Sequence, residues 1–345
     1  MFSDHPSKHL DDRVAGRPAS SSPRLSDLSR SPNAFDTLRL LAAGAVLVSH
    51  AFALTGLPEP MENLPGRLKL GSLAVGVFFV IKRARRIMPA LIVAVGFCVF
   101  VLGPLLTALP IRTYFHSAET FRYLGQAAFL PVTNNLPGVF TPNVMTAVNG
   151  SLWTLKFEVA CYAFVALALF RPRWGLAVVV GAWLASVVTA RLIPEDSTGA
   201  MYFVGRLAYL FRFFGTGMLF YLFRERMAIR IDLGLLCFAL TVASAFTPLF
   251  AEVVTTAGAY ALIVFAYRAP AWFKHLTSRG DISYGVYVYA FPIQQVLVPF
   301  SLRWEHPWMV NIAVSLPLTL LAGTLSWLIV EQPMLRRQTL ARHAA

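Results

Sequence analysis

The sequence predicts an all-α integral membrane protein, a bundle of about ten transmembrane helices whose second helix is unusually short. Three observations predict it. Hydrophobic residues make up 57% of the 345-residue chain and charged residues only 14%, with a mean hydropathy of +0.60. A soluble domain of this length needs more polar surface than that. Apolar runs of about 18 residues or more recur along most of the chain, long enough to cross a hydrocarbon core of roughly 30 Å as helices. Finally, the basic residues concentrate on alternate connections between those runs, as the cytoplasmic loops of a membrane protein require.

The net charge of +13 and the pI of about 10.1 raise nucleic acid as a partner. The chain has no zinc-finger spacing and no basic run interleaved with stacking aromatics, so the charge is assigned to cytoplasmic loops and no nucleic-acid partner is expected. Cys98, Cys161 and Cys237 stand singly in apolar runs. They make neither CxxC pairs nor a disulfide framework, and no metal site is expected.

Residues 1–33 include PASSSPRLSDLSRSPN, rich in serine, proline and charge. With little to bury, they are expected to form a disordered cytoplasmic tail. No short apolar run with a small-residue cleavage site precedes Phe35, so no signal peptide is expected. The membrane domain occupies 34–335, and 336–345 form a second cytoplasmic tail. Hydrophobic segments lie near 36–56, 68–81, 87–109, 151–170, 175–192, 202–222, 231–247, 250–267, 281–300 and 308–330. With the amino terminus inside, 21 of the 30 basic residues fall on cytoplasmic pieces and six on outer loops. Both termini are therefore expected on the cytoplasmic side.

The second segment is short. From Leu68 to Ile81, 14 residues rise only about 21 Å as a helix before running into Lys82. Arg67 and Lys69 can snorkel at one end and Lys82 at the other, with local thinning of the bilayer. Failure to cross here would invert every later loop against the charge bias. The outer segment 110–150 contains TNNLPGVFTPNVMTAVNG, whose Asn, Pro and Gly predict irregular backbone suited to a rim over an external site.

Three stretches carry candidate chemistry. In FDTLRLLAAGAVLVSH, Arg39 and His50 lie eleven residues apart, hence about 20° apart in azimuth and roughly 16 Å apart along one helix face. Arg39 sits near the cytoplasmic end and His50 beyond mid-membrane. Ionisable residues within a span face the bundle interior or a watery cavity. The plain alternative is that Arg39 snorkels to headgroups and His50 is a hydrogen-bonded interface residue. His50 is the best candidate general base, since an imidazole titrates near neutral pH.

KRARRIMPAL, Lys82–Leu91, is either a positive-inside anchor or an anion site, because Arg83 and Arg86 are spaced to converge on a phosphate at a helix start. NGSLWTLKFEVACY opens the fourth segment and places Trp153 at the interface, as aromatic belts do. It also places Glu158 about two turns into the hydrocarbon. Glu158 there needs a basic partner, a neutral form or a wet cavity; Arg206 and Arg212 on the sixth segment are candidate partners.

These stretches resemble acyltransferase family 3, the membrane O-acyltransferases of bacterial envelope polysaccharides. FDTLRLLAAGAVLVSHA is similar to the family's first helix, with its arginine and histidine matched by Arg39 and His50. GVFFVI and RARRIMPAL resemble its second helix and R-x-x-R-I-x-P junction, matched by Arg83, Arg86 and Pro89. NGSLWTLKFE resembles its N-G-x-L-W-x-L-x-x-E segment, and DISYGVYVYAFPIQQ and VEQPMLR its last two helices. The blocks run in order from residue 35 to about 336.

Two departures stand out. The S-G-F-L-I continuation after the second helix is missing, which accounts for the short span, and Ala290 replaces a histidine common in the ninth helix.

The resemblance implies acetyl-CoA as acyl donor, entering from the cytoplasm; charge adds the expectation that its phosphates dock on Arg83 and Arg86. It implies a cell-surface polysaccharide or lipid-linked sugar as acceptor, and a location in the bacterial inner membrane in contact with the lipid bilayer. Catalysis is then expected from His50, Arg39 and Glu158, with Asn149 and Trp153 binding the acceptor. His50 either takes the proton of the attacking hydroxyl or carries the acyl group itself. A transporter or flippase for a lipid-linked glycan and a non-catalytic membrane component are the competing readings. The first is disfavoured by the lack of a detectable inverted repeat.

Overall fold

Apolar runs broken by proline, glycine and charge fold into a succession of helices. A computed structural model describes residues 22–28, 31–63, 68–80, 87–130, 133–170, 172–194, 196–278 and 280–335. Among the described residues the structure is helical, and extended pairing is limited to one isolated antiparallel bridge, Arg24 with Ala228.

The first helices are α1 (Phe35–Leu54), α2 (Leu70–Val80) and α3 (Ile87–Phe97). A π-helical turn, Cys98–Leu102, and a last turn, Gly103–Leu106, prolong α3. After the intervening segment come α4 (Leu155–Phe170), α5 (Pro172–Leu192), α6 (Gly199–Leu222) and α7 (Ile231–Ser244). The chain enters α8 (Ala259–Arg268) through Phe250–Val253 and a second π-helical turn. It ends with α9 (Ser283–Ser301) and α10 (Pro307–Ser326).

Among the described residues, six stretches are long and apolar enough to cross a membrane: Phe35–Leu54, Met88–Leu106, Gly150–Ala168, Trp174–Leu192, Phe250–Arg268 and Pro307–Leu335. The expected number was about ten. The difference has a physical basis. Helices α2 and α7, with 11 and 14 residues, are apolar but short. Helices α6 and α9 are long, but they carry polar and charged side chains, among them Arg212, Gln294 and Gln295, that are matched by neighbouring protein segments rather than by lipid. The described part of the expected short second helix, Leu70–Val80, rises about 16 Å over 11 residues.

Helix α1 packs on α2, α9 and α10, while α5 packs on α6 and α7 on α8. The core joins α1, α2, α3, α4, α6 and α9 through residues such as Val46, Phe79, Val95, Phe157, Leu210 and Val288. Helices α9 and α10 approach closely at a glycine pair, since a Cβ on Gly285 would lie 2.8 Å from Gly323 Cα. Small residues permit such backbone contact between helices in lipid, where packing rather than water exclusion drives association.

The segment between α3 and α4 is built from short helical pieces, Ile111–His116, Ala118–Arg122 and Tyr123–Ala128, followed by irregular chain. It marks one end of the bundle, called here the loop end; the start of α1 marks the other, the tail end. Part of the expected disordered tail is ordered. Leu25 N donates to Met227 O at 2.9 Å and Ile229 N to Pro23 O at 2.9 Å, while Leu25 and Leu28 pack against the Ile229–Tyr260–Ile263–Val264 cluster. Two leucines three residues apart supply the apolar contact that the surrounding serines lack.

Replacing Gly285 with leucine forces α9 and α10 apart. Overpacking of this kind costs about 1–3 kcal/mol, so the apparent melting temperature of the detergent-solubilised protein should fall; an unchanged melt would show that the glycine contact is loose.

Candidate active site

Arg39 lies in the second turn of α1, one turn after Asp36, so the two share a face. Its Nη2 donates to the Asp36 carboxylate and to Asp281 Oδ2 at 2.6 Å. The Arg39 and Asp281 side chains are only 7% and 6% exposed. A cation this deeply buried persists only when it is paired and hydrogen-bonded. Asp281 is itself oriented: its Oδ1 accepts the Ser283 backbone N–H at 3.0 Å and the Ser283 hydroxyl at 2.5 Å, at the start of α9. Gly280 makes this corner feasible. Its φ of +147° suits glycine, and a Cβ there would lie 2.2 Å from the Trp327 indole nitrogen. Arg39 therefore anchors the tail end of α1 to the start of α9.

His50 lies three turns further along the same face. Its ring meets Phe291 of α9 edge-on, with centroids 5.0 Å apart and planes at 81°. Its Nδ1 is buried and has no hydrogen-bond partner. The helix face that carries Arg39 and His50 is thus turned into the bundle, against α9. Roughly 16 Å of helix separates them, so the guanidinium does not touch the imidazole; Arg39 can orient and polarise, but it is not at the reacting atoms.

Beside His50, Ser49 Oγ donates to Glu59 Oε2 at 2.5 Å. The other oxygen of this buried carboxylate accepts the backbone N–H of Leu70, the first residue of α2. Glu59 therefore caps the short second helix and ties it to α1 next to the histidine.

A large apolar cleft of about 860 Å³ also runs along α1 and α2, lined on α1 by Leu38, Leu41, Ala42 and Ala45. These residues lie roughly a third of a turn or more, on average, from the azimuth of His50, so this cleft opens on a different face of α1 from the histidine.

Asn149 and Trp153 lie on the turn Gly150–Thr154 and just before it. Asn149 is 1% exposed, and both ends of its amide are engaged: Oδ1 accepts Ser151 N–H at 3.1 Å, and Nδ2 donates to Val288 O at 2.8 Å. The second bond has a specific cause. Pro292, inside α9, has no N–H to give the carbonyl four residues earlier, which is that of Val288. Asn149 replaces the missing donor. Tyr287 reinforces the same contact, donating to Ser151 O at 2.6 Å and meeting Thr154 Oγ1 at 2.8 Å. Asn149 therefore seats the turn on α9.

Trp153 is half-buried, with the Arg206 guanidinium 5.9 Å from its ring centre and Phe157 edge-on at 5.8 Å. Glu158 is half-buried and accepts from Tyr162 OH at 2.7 Å. Of its two candidate partners, Arg212 meets Glu252 at 3.5 Å, and Arg206 lies over Trp153 and Tyr202. Arg83 and Arg86 lie outside the described residues.

Sequence reasoning missed Asp281, Glu59 and the two glutamines of α9. Asp281 gave one signal, an Asp within two residues of a helix start. Glu59 sits in a Pro-rich loop and gave none. Two substitutions test the seating of α9. Asn149→Ala leaves the Val288 carbonyl unbonded, and Asn149→Asp removes the donor while keeping the acceptor. Both should lower thermal stability in detergent, by about 1–3 kcal/mol for an orphaned buried group. Unchanged melting of both variants would remove Asn149 from this role.

The comparisons bear on this arrangement directly. Residues 33–331 match a family profile described as an acyltransferase domain. Over 340 residues the chain is 31% identical to an O-acetyl transferase of Shigella phage Sf6, covering 89% of this chain and 97% of that protein. It is 37% identical over 123 residues to the exopolysaccharide production protein ExoZ of Rhizobium meliloti, 35% of each chain. It is 26% identical over 357 residues to nodulation protein 10 of Rhizobium leguminosarum bv. viciae, covering 89% of this chain and 94% of that protein. No solved structure matches. The profile spans α1 to the turn after α10 and so includes the helix face of Arg39 and His50; this chain belongs to acyltransferase family 3 and is a membrane-embedded O-acetyltransferase.

Proposed function

We propose that the chain transfers acetyl from acetyl-CoA to a hydroxyl of a cell-surface polysaccharide or its lipid-linked precursor, with His50 at the reacting centre. The observation that carries this reading is the state of His50: it faces the bundle interior against Phe291, and one buried ring nitrogen has no hydrogen-bond partner. The polar side chains of Arg39 and Ser49 on the same helix are by contrast hydrogen-bonded. A polysaccharide acceptor agrees with the name of one relative, an exopolysaccharide production protein.

In this reading, α2, α6, α7 and α9 complete ten crossings of a domain spanning 34–335 in the bacterial inner membrane. Both termini lie in the cytoplasm, where Lys82, Arg83, Arg85 and Arg86 also lie. The loop end then faces outward and His50 sits nearer to it. Arg83 and Arg86, three residues apart, receive the phosphates of the donor.

His50 accepts the proton of the acceptor hydroxyl as its oxygen forms the new ester bond to the acetyl carbon. The carbon–sulfur bond of the thioester breaks, and the proton passes to the departing sulfur. Arg39 and Asp281 are positioning residues that hold the α1 face in register with α9. Glu158 and Trp153 border the acceptor path, and Asn149 shapes its wall.

His50→Ala should abolish acetylation of the surface polysaccharide while leaving the amount of protein in the membrane unchanged; retained acetylation would remove His50 from the chemistry. Purified protein in liposomes, given labelled acetyl-CoA and glycan, distinguishes this function from transport, which would move glycan without labelling it. The double substitution Arg83→Ala, Arg86→Ala should weaken acetyl-CoA binding about tenfold or more, as loss of charge-assisted contacts does. Unchanged affinity would return that cluster to a membrane-anchor role.

A further inference from the structure

At the loop end, between α5, α6 and the chain entering α8, lies a cavity of about 170 Å³ that the acyl-transfer chemistry leaves unexplained. Its polar wall consists of Arg191, Arg206, Arg212 and Glu252, with Tyr202 and Tyr209. The charges do not balance. Arg191 grips Glu252, with Nε 2.8 Å from Oε1 and Nη2 2.8 Å from Oε2, and Arg212 Nη1 meets the same Oε1 at 3.5 Å. One carboxylate thus serves two guanidinium groups. Arg206 has no carboxylate partner among the described residues, and it lies 5.4 Å from the Tyr202 ring centre and 5.9 Å from that of Trp153.

Arg212 supplies an independent sign that something is bound here. It is only 4% exposed, and its Nε is buried with no hydrogen-bond partner. Excess positive charge with an unsatisfied donor, set midway along α6 within the bundle, is costly unless an anion completes it. The cavity is smaller than the pockets that enclose whole ligands, which run from roughly 300 Å³ upward. It suits one charged substituent rather than a sugar chain.

Its location relates it to His50. Leu68 lines the cavity two residues before Leu70, whose N–H is held by Glu59, and Glu59 also holds Ser49, the neighbour of His50. Arg206 rests on Trp153, on the turn seated against α9.

We infer that this cavity is an oxyanion subsite for the acceptor: Arg206 and Arg212 receive a carboxylate or phosphate group of the glycan while Tyr202 and Trp153 border the attached sugar. The inference rests on the acceptor reading given above for its biological meaning. Two sources carry this chemistry, an acidic sugar of the polysaccharide and the diphosphate of a lipid-linked precursor.

Isothermal titration of the full-length protein in lipid nanodiscs tests it without any turnover, using trigalacturonate, its carboxyl-reduced neutral counterpart and inorganic pyrophosphate as probes. At least one anion should bind, more weakly as salt is raised, and the neutral sugar should bind at least tenfold less tightly, about the factor expected for charge-assisted contacts. Binding of trigalacturonate alone identifies the sugar carboxylate, and binding of pyrophosphate alone the lipid-linked diphosphate. Arg206→Gln should weaken the bound anion about tenfold or more and Arg206→Lys less, because lysine keeps the charge but not the planar fork. Arg206 is half-buried and outside any ion pair among the described residues, so both variants should melt like the parent protein.

If neither anion binds more tightly than the neutral sugar, or if Arg206→Gln binds the anion as the parent does, the subsite is refuted. Because binding is read separately from transfer, loss of the acetyltransferase reading would leave this result standing, and the reverse also holds.

Discussion

A buried helix with prolines in its interior cannot satisfy its own backbone, and in an apolar medium something else must. Helix α9 carries two, Pro292 and Pro299, which leave the carbonyls of Val288 and Gln295 without their intrahelical donors. Asparagines from the loop-end segment supply both: Asn149 Nδ2 reaches Val288 O at 2.8 Å, and Asn143 Nδ2 reaches Gln295 O at 3.0 Å. Gln295 reciprocates, donating to the carbonyls of Met145 and Ala147 at 2.7 Å each. Gln294 does the same toward α1 and α10, donating to Leu47 O at 2.9 Å and Asn311 Oδ1 at 3.0 Å. Each bond is modest alone, but leaving any of these groups unmade is expensive. The irregular segment before α4 is therefore held against α9 by the backbone's own requirements.

This lattice sets the geometry of the active face. The Arg39–Asp281 pair fixes α1 to α9 at the tail end, and the Gln294–Leu47 bond fixes it again one turn before His50. Between such fixed points α1 can neither rotate nor slide, and the imidazole stays edge-on to Phe291. A buried ion pair contributes little net stability after desolvation, but it strongly penalises any register that separates the charges. The short α2 is managed by the same means. Glu59 caps its first turn and bonds to Ser49, so a helix with too little length to be held by lipid is held by α1.

Much of this was legible in the residues. Three turns at 100° per residue place Arg39 and His50 on one face whatever surrounds them, and the apolar run around them predicts that this face turns inward. The Asn149–Glu158 stretch was recognisable as a special entry to a helix. What Asn149 does there was not, because its partner carbonyl is exposed by a proline 143 positions later in the chain. The partner of Arg212 was likewise hidden: Glu252 lies 40 residues away on another helix, whereas Glu158 was the carboxylate that the motif drew attention to. Hydropathy also counted α6 and α9 among plain membrane segments, though their polar side chains mark them as interior.

By itself the sequence determined the helical membrane class, the family and the shared azimuth of Arg39 and His50. All of these depend on local periodicity, composition and ordered motifs. Only the tertiary structure decided which buried polar group satisfies which, that Asp281 neutralises Arg39, that Glu59 bridges α1 and α2, and that Arg191 and Arg212 converge on Glu252 at the loop end. The reason is that desolvation forces buried polar groups to pair, but partner choice depends on which helices become neighbours, and hydrophobic patterning leaves that open.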